Sequence, residues 1–532
     1  MRAASHLPPR PLRRLAAGLL ALAIAGLIAA ILLAILRAAT GSAGGPGVDI
    51  AHLVRMTALQ AGLTTVLSLM AGTAVAWALN RLRFAGRSVV VGLFSAAIVT
   101  PGMVVAFGLL SIWGRNGWIN QTSEALFGLR IESPAYGLSG ILIAHVILDG
   151  AFAARILLAR LDAIAVSRLK VGQSLGLNAW QRFAIIDWPA LRGSLPGLAA
   201  IIFLLAFTSF PIVLMLGGGP ANQTLEVAIY GAVRLDFDLV GAVLLAMTQI
   251  GVCALVIIAA SAFSPVPSVL GKSAQPAWQD GRMVRAIQAL VLILAIAGFA
   301  LPLLSVLGEG LSGMGAVLAQ PAFWRASLTS LIIGAASAAL TLVLALVLAL
   351  GRASTGHPVL RTVLGAPAYA YLAVPAVVLS LGFFLLVRDA GMSARTAAPI
   401  VVVIANALLA LPFAMATLGP ALDAVAQTRG KLIRSLGLGG LMQFTAIEYP
   451  LLGRDIGLLL ALAFCFSLGD LGVIALFGTQ DFQTLPLMMY RALGAYRNND
   501  AGAIAALMLV GTVAAFVGLP RLMERIADAH GR

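Results

Sequence analysis

Charged side chains are scarce in this sequence. Asp, Glu, Lys and Arg make up 10% of its 532 residues, against about 25% in a typical soluble domain. Hydrophobic residues make up 61%, and the mean hydropathy is +1.00. Because a surface that faces water needs more charge than this, the composition excludes an ordinary soluble protein and indicates that lipid surrounds most of the chain.

Residues that carry chemistry are also few. Cys253 and Cys465 lie inside apolar runs without a CxxC pair, which favours small buried hydrophobic residues over a redox role. No GxxxxGK[ST] run is present to cradle nucleotide phosphates. The five histidines lack metal-ligand spacing, and no Ser/His/Asp or Cys/His arrangement is visible. We therefore expect no metal site, no catalytic residues and no enzyme activity in this chain.

What the sequence has in abundance is long apolar runs. A spanning helix needs about 20 mostly apolar residues, and runs rich in Leu and Ala without alternation favour helices over a membrane barrel. Twelve runs lie near 15–37, 57–79, 88–112, 137–159, 195–216, 239–262, 285–307, 327–350, 363–387, 398–418, 455–477 and 502–520. The first run is too long for a signal peptide, whose apolar region has roughly 7–15 residues. The sequence predicts an all-α polytopic membrane protein with about twelve transmembrane helices.

The basic residues orient these helices. Only 3 of the 35 are lysines, and alternate loops collect 24 of the 35 on one side and 9 on the other. Because basic loops stay in the cytoplasm, the asymmetry predicts a multi-pass protein of the bacterial inner membrane with both termini cytoplasmic. Arginines scattered through short loops do not form a basic groove, so we expect membrane lipid but no nucleic acid as a partner.

An internal repeat relates the two halves. The loop LDAIAVSRLKVGQSLGLNAWQRFAIIDWPAL (161–191) aligns without a gap with LDAVAQTRGKLIRSLGLGGLMQFTAIEYPLL (422–452), with 14 identities at an offset of 261. The matches include Asp162 with Asp423, Arg168 with Arg429 and Lys170 with Lys431. Each loop follows the fourth helix of a six-helix half, so the repeats are parallel. Since loops usually diverge fastest, a partner outside the bilayer is expected to constrain both loops.

The repeat also predicts the domain organisation. The stretch from Ser264 to Arg282 contains Pro, Ser and Gly and is polar, which is typical of a linker. The predicted segments are an N-terminal cytoplasmic tail with the first helix (1–50), a first transmembrane domain (51–263), a cytoplasmic linker (264–284), a seventh helix with a periplasmic loop (285–325), a second transmembrane domain (326–521) and a cytoplasmic tail (522–532).

Each aligned loop carries one motif: SLG, nine residues, Ile, an acid, an aromatic residue and Pro. The key positions are Gly176, Ile186 and Pro189 in the first loop and Gly437, Ile447 and Pro450 in the second. The motif resembles the cytoplasmic EAA loop of ABC importer permeases, in which Glu-Ala-Ala is followed by three residues, Gly, nine residues, Ile, one residue, Leu and Pro. The glycine permits a left-handed turn between two short helices. Lys170 and Lys431 stand where that family has Glu.

The resemblance implies that both loops couple this chain to an ATPase. In the family, such loops dock into clefts on ATPase subunits, so the implied coupling residues are those matched above. They are Asp162, Arg168, Lys170, Gly176, Ile186 and Pro189, with Asp423, Arg429, Lys431, Gly437, Ile447 and Pro450.

Longer segments narrow the resemblance. GRNGW (114–118), SPAYGLSGILIAHV (133–146), LGGGPANQTLEVAIY (216–230) and FGTQDFQTLPLMMYRALGAYRNND (477–500) are similar to the fused two-domain permeases of bacterial thiamine importers, within the binding-protein-dependent transport system inner-membrane component family. The resemblance extends from about residue 55 to 520. A fused ferric-iron permease is the nearest alternative, and a secondary transporter driven by an ion gradient is a more distant one.

The resemblance implies a function and partners. The chain would translocate thiamine, or its phosphates, by alternating access. Its partners would be two copies of a separate cytoplasmic ABC ATPase and a periplasmic thiamine-binding protein. This chain would bind no cofactor itself, and ATP and Mg would reside on the ATPase.

Five residues are candidates for the substrate path. Asp149 and Asp470 are carboxylates within apolar runs, where ionisable groups usually have a function. Glu226, Tyr230 and Tyr490 follow the fifth and eleventh runs, where charge and aromatic rings suit a cation. The alternative for the acids is a role in helix packing, and for the other three a solvated helix with interfacial tyrosines.

Overall fold

The computed structural model describes residues 10–40, 49–261, 278 and 280–530 of the chain. Most of the predicted linker at 264–284 therefore falls outside the described residues, as does the start of the N-terminal tail. The described residues form helices and turns without a strand, which confirms the all-α prediction.

The helices are numbered here in chain order. They are α1 (Pro11–Thr40), α2 (Ile50–Arg81), α3 (Arg87–Ala96), α4 (Gly102–Trp113), α5 (Trp118–Phe127), α6 (Gly137–Asp162), α7 (Val166–Ser174), α8 (Ala179–Arg182), α9 (Trp188–Leu191), α10 (Leu195–Phe207), α11 (Pro211–Leu216), α12 (Leu225–Arg234), α13 (Leu239–Ser261), α14 (Arg282–Leu318), α15 (Pro321–Ala353), α16 (Pro358–Ala370), α17 (Ala376–Asp389), α18 (Ala394–Ser435), α19 (Gly440–Gln443), α20 (Tyr449–Gly469), α21 (Gly472–Phe477), α22 (Leu485–Gly494) and α23 (Asn498–His530). Two π-helical turns, Phe183–Asp187 and Phe444–Glu448, precede α9 and α20.

Length and composition allow many of these helices to cross a membrane. In the described part of the chain nine helices qualify, and two bent pairs bring the number to as many as eleven. The pairs are Ala179–Leu191 with Leu195–Phe207, bent by 63°, and Pro358–Ala373 with Ala376–Asp389, bent by 100°. The run predicted at 88–112 is divided into α3 and α4, because Pro101 disfavours a helical conformation in the residue before it. The polytopic architecture is therefore as predicted, with several spans broken.

The chain folds into two compact units that do not follow chain order. The first-repeat unit contains the described residues within 49–227 and 251–312, and the second-repeat unit contains those within 10–40, 228–250 and 313–530. The leading helix α1 thus belongs to the second-repeat unit, although the first repeat follows it in the sequence. The leading helix α14 belongs to the first-repeat unit as far as Ser312, although it precedes the second repeat.

Two matched glycines accommodate these leading helices. In the second-repeat unit α1 packs on α15, α16 and α17, and a Cβ at Gly382 would overlap the side chain of Ile31. In the first-repeat unit a Cβ at Gly108 would overlap the backbone carbonyl of Pro302 in α14. Gly108 and Gly382 correspond at an offset of 274. Each repeat therefore uses the same small residue to receive a leading helix at close range.

Candidate functional site

The first aligned loop is a short helix, a turn and a second short helix. Helix α7 ends at Ser174, and Gly176 follows with a φ of +64°, in the left-handed region that glycine adopts readily. Asn178 then caps α8, because its side chain accepts the Gln181 amide and the Gln181 side chain accepts the Asn178 amide. The π-helical turn and Pro189, in the first turn of α9, complete the loop. This is the helix–turn–helix that the sequence predicts.

The second aligned loop repeats this geometry with one difference. Its first helix is the end of α18, which continues without a break from the preceding span to Ser435. Gly437 has a φ of +63°, and the π-helical turn Phe444–Glu448 is followed by Pro450 in the first turn of α20. The apolar helix expected to end near 418 is therefore longer, since Pro420 does not break it. π-helical turns are rare and recur at functional sites, so their presence in both loops is notable.

A buried ion pair fixes the first loop. Asp187, the acid of the motif, lies in the π-helical turn and pairs with Arg81 at the last turn of α2. Both side chains are 2% exposed. Such a pair must satisfy its charges internally, because removal of one partner leaves an uncompensated charge in a medium of low polarity.

The acid of the second loop has a different partner. Glu448 accepts hydrogen bonds from Arg13 Nη1 at 2.8 Å and Nη2 at 2.9 Å, and from Gln443 Nε2 at 2.6 Å. Arg13 Nη2 also donates to the Gly440 carbonyl at 3.1 Å. Arg13 lies in the first turn of α1, whereas Arg352, which corresponds to Arg81 at an offset of 271, lies against Gly365 and Gly419. The matched acids are therefore held by arginines of non-equivalent helices.

The chain in front of each leading helix also contacts a loop. Arg10, just before α1, donates to the carbonyl of Leu438 in the second loop. In the first-repeat unit the Arg182 guanidinium carbon lies 4.0 Å from the ring centre of Trp278, just before α14. A Cβ at Gly172 would lie 2.9 Å from that ring. Both loops are thus tied to a segment that leads into a spanning helix.

The matched aspartates form matched contacts. Asp162 accepts from Asn80 Nδ2 at 2.9 Å and lies 3.8 Å from Arg87 of α3, and Asp423 pairs with Arg361 of α16. Arg87 and Arg361 correspond at an offset of 274. These residues tie the start of each loop to an earlier helix of its own repeat, α3 or α16. The repeat alignment contains the signal for this pairing, although sequence reasoning did not extract it.

The remaining loop residues form an exposed surface. Lys170 and Lys431 are exposed at matched positions, as is Arg429, while Arg168 Nη2 donates to the carbonyl of Ile185 at 2.8 Å. Four apolar side chains are exposed beside them, Val171 (57%), Leu175 (70%), Leu432 (43%) and Leu436 (58%). Ile186 is buried and Ile447 half-buried, so they anchor the loops rather than contact a partner. Each loop presents a basic and apolar surface of the same design.

The five candidates for the substrate path lie in different settings. Asp149 is buried within α6, and Glu226 is fully buried in the first turn of α12. Asp470 follows the end of α20, and its Oδ1 accepts the Val473 amide at 3.2 Å, which caps α21. The structure thus gives Asp470 a structural task in the break between two helices. Its place in a substrate path stays a prediction, as does that of Asp149.

The tyrosines, by contrast, are brought together. Tyr490 of α22 and Tyr230 of α12 share a side-chain hydrogen bond, at corresponding positions of the two repeats. Burial, and then the neighbouring Tyr230, raises the pKa of Tyr490. Burial is the main cause that lowers the pKa of Arg491, and the positive charge of Arg234 lowers it further. The two arginines therefore lie near each other and near the tyrosine pair. Their guanidinium groups donate to the carbonyls of Gly478 and Thr479.

Metal ligands are not grouped in the described part of the chain. There no three His, Cys, Asp or Glu side chains come close enough to hold an ion.

Comparison with known proteins identifies similar chains of the same length. The thiamine transport system permease protein of Salmonella typhimurium is 35% identical over 488 residues, which is 90% of each chain. The proteins of that name from Escherichia coli and Haemophilus influenzae are 36% and 37% identical, over 86% and 88% of each chain. The molybdenum transport system permease protein of Azotobacter vinelandii is 30% identical over 176 residues, which is 33% of this chain and 76% of that protein. No family model matches the chain.

Proposed function

This chain belongs to the family of thiamine transport system permease proteins, and from that premise we propose that it carries thiamine across the inner membrane as the permease subunit of an ATP-driven importer. It is a transport subunit and not an enzyme. The identity extends over most of the chain, so it includes both repeats and both aligned loops. The partial similarity to a molybdenum permease spans about one repeat and supports the architecture rather than the cargo.

The observation that carries the coupling mechanism is the shared design of the two loops. Each has a left-handed glycine, a π-helical turn and a buried acid paired with an arginine of a spanning helix. Each also presents a lysine and two apolar side chains to its surroundings. Two surfaces of one design fit two copies of one ATPase subunit. ATP and Mg would be held by those subunits, and a periplasmic thiamine-binding protein would deliver the cargo.

The ion pairs explain how force would pass from loop to membrane. A loop anchored only by apolar contacts could shift without moving its spanning helices. The Arg81–Asp187 and Arg13–Glu448 pairs join each loop to a helix end through charge-assisted hydrogen bonds. Closure of the ATPase dimer would then displace both helix ends together with the loops. The loops would lie on the cytoplasmic side, in agreement with the excess of basic residues there.

Thiamine is a cation, so its path should contain aromatic rings or acidic side chains that attract positive charge. The Tyr230–Tyr490 pair offers aromatic faces that attract a cation, while the buried Glu226 precedes it by one helical turn in α12. We propose that the tyrosine pair lies at the periplasmic entrance. Arg234 and Arg491 lie close to the pair and would favour the phosphate esters of thiamine.

Uptake of labelled thiamine tests the proposal. Cells without their own importer would express this chain with its binding protein and ATPase, and a Gly176→Val, Gly437→Val variant would be compared with Gly176→Asn, Gly437→Asn. A Cβ at either position would have no neighbour within 4 Å, and of two side chains of similar size Asn tolerates positive φ far better than the β-branched Val. We expect uptake that requires all three proteins, is lost with Val and retained with Asn.

Two outcomes would contradict this function. Full uptake without the ATPase would indicate a secondary transporter. Failure of the complete system to import thiamine, with the permease inserted correctly, would direct attention to ferric iron.

A further inference from the structure

A large apolar groove lies beside the first aligned loop, entirely within the first-repeat unit. Its volume is about 670 Å³. Its walls come from α2, from α8, the π-helical turn and the start of α9 in the loop, and from the start of α10 and α14. Among its lining side chains only Thr73 has a polar group other than an indole N–H. The groove therefore suits the hydrocarbon part of a ligand.

Three of the twelve residues that line the groove are tryptophans. Trp77, Trp180 and Trp188 are three of the seven tryptophans in the chain, and Trp180 and Trp188 are 73% and 42% exposed. In the second loop the corresponding residues are Leu441 and Tyr449, so this wall belongs to the first loop alone. Exposed tryptophan is costly in water but favoured at the boundary between lipid tails and head groups.

The groove lies beside the ends of two apolar helices, where such a boundary is expected. Helix α2 ends at Arg81 and α14 begins at Arg282, and the lining residues of both helices lie within about three turns of those ends. Exposed arginines flank the opening in sequence: Arg192 precedes the lining residue Leu195, and Arg282 and Arg285 flank Val284.

The two acidic residues near the groove, Asp187 and Asp280, already have partners. Asp187 pairs with Arg81, and Asp280 accepts from Gln288 Nε2 at 2.7 Å. The other charged residues within three positions of the lining residues on α10 and α14 are the exposed arginines Arg192, Arg282 and Arg285. An apolar groove with a cationic rim matches an amphiphile with a negative head group, and basic pockets between helix ends are known to bind such lipids.

We propose that this groove binds an anionic phospholipid of the surrounding leaflet, with an acyl chain against the tryptophans and its phosphate at Arg282 and Arg285. The groove does not suit the cationic cargo, because its lining residues include no carboxylate and no polar side chain beyond Thr73 and the indoles. The ATPase-facing side chains Lys170 and Leu175 lie on or just after α7, away from the groove walls. The bound lipid packs against Trp180 and Trp188 and so contacts the first loop directly. Lipid binding in this groove does not depend on the identity of the cargo.

Native mass spectrometry of the purified, delipidated permease tests the head-group part. Phosphatidylglycerol and phosphatidylcholine with identical acyl chains would be titrated separately. We expect one tight adduct with phosphatidylglycerol, weakened about 30-fold in an Arg282→Gln, Arg285→Gln variant, since each basic residue near a lipid surface contributes roughly a five-fold change. The control is Arg521→Gln, Arg525→Gln, which removes two exposed arginines near the end of α23. Equal affinity for the two lipids, or an unchanged adduct in the first variant, would overturn the proposal.

Tryptophan fluorescence tests the acyl-chain part. Phosphatidylglycerol brominated along its acyl chains should quench the protein, and Trp180→Phe, Trp188→Phe should lose most of that quenching. Ala74→Trp, which fills the groove from α2, should exclude the lipid. Undiminished quenching after removal of both tryptophans would show that the lipid binds elsewhere, since of the groove tryptophans only Trp77 then remains, and this result does not rely on the Ala74 variant being stable.

Discussion

Arg13 and Glu448 are 435 positions apart in the chain and joined by two hydrogen bonds of 2.8 and 2.9 Å. The arginine begins the first spanning helix, and the glutamate belongs to the loop that precedes the α20 span. Asp187, at the matched position of the other loop, pairs instead with Arg81 of its own repeat. The acidic position of the motif thus has an arginine partner from a different helix in each repeat. The contributions of the two ion pairs can therefore be compared by mutation.

Arg13→Met should impair the coupling of ATP hydrolysis to transport more than it impairs insertion of the permease into the membrane. Glu448 is fully buried and Arg13 is 13% exposed, and breaking such a buried pair costs about 3–5 kcal/mol. We expect reduced stability of the second-repeat unit and ATP hydrolysis that thiamine-loaded binding protein no longer stimulates. Thermal unfolding and ATPase assays of the reconstituted complex measure both effects.

A double variant separates the charge from the packing. Arg13→Met, Glu448→Gln removes both charges, so it should recover most of the stability lost in the single variant. Equal losses in the single and double variants would mean that the ion pair itself is unimportant.

Arg81→Leu should be more harmful than the matched change Arg352→Leu. Arg81 compensates the buried Asp187, whereas the described contacts of Arg352 are with Gly365 and Gly419. We expect a loss of about 3 kcal/mol for Arg81→Leu and a smaller loss for Arg352→Leu. Chemical denaturation of the two purified variants gives the comparison, and indistinguishable losses would contradict the asymmetry.

Gly108→Ala should destabilise the protein more than Gly382→Ala. The new methyl group at 108 would meet the backbone carbonyl of Pro302 within a helix, while at 382 it would meet only side-chain atoms of Ile31, which can be displaced without moving a carbonyl of the helix. Overpacking of this kind costs roughly 1–3 kcal/mol. Gly92→Ala is the matched control, because open space surrounds that helical position and alanine favours helix. The order of melting temperatures should be Gly92→Ala, Gly382→Ala, Gly108→Ala, from high to low.

Tyr490→Phe should raise ATP hydrolysis in the absence of binding protein. The lost hydroxyl removes a hydrogen bond between α12 and α22 worth about 1 kcal/mol, so separation of these helices becomes roughly five-fold easier. Tyr496→Phe is the control, since Tyr496 is 90% exposed. A rise of the same size in both variants would show that the pair does not restrain the transporter.

The sequence by itself determined the features that depend on local or repeated residues. Composition and the apolar runs indicated membrane-spanning helices, and the two aligned loops indicated an internal repeat of two halves. Gly176 and Gly437 were predicted to permit left-handed turns, and both have positive φ. Such features follow from the chemistry of a few neighbouring residues, which any conformation of the chain must respect.

Only the tertiary structure decided which helix packs on which. Apolar helices look alike to one another in lipid, where association depends on close fit and on a few polar contacts rather than on hydrophobicity. Nothing in the apolar sequence of α1 indicates that this helix packs in the second-repeat unit. Nothing in the sequence near Glu448 identifies Arg13 as the partner of that glutamate. The groove beside Trp180 likewise exists only because three distant segments meet. Long-range partners are chosen by shape and charge complementarity between surfaces, and that information appears only once the chain has folded.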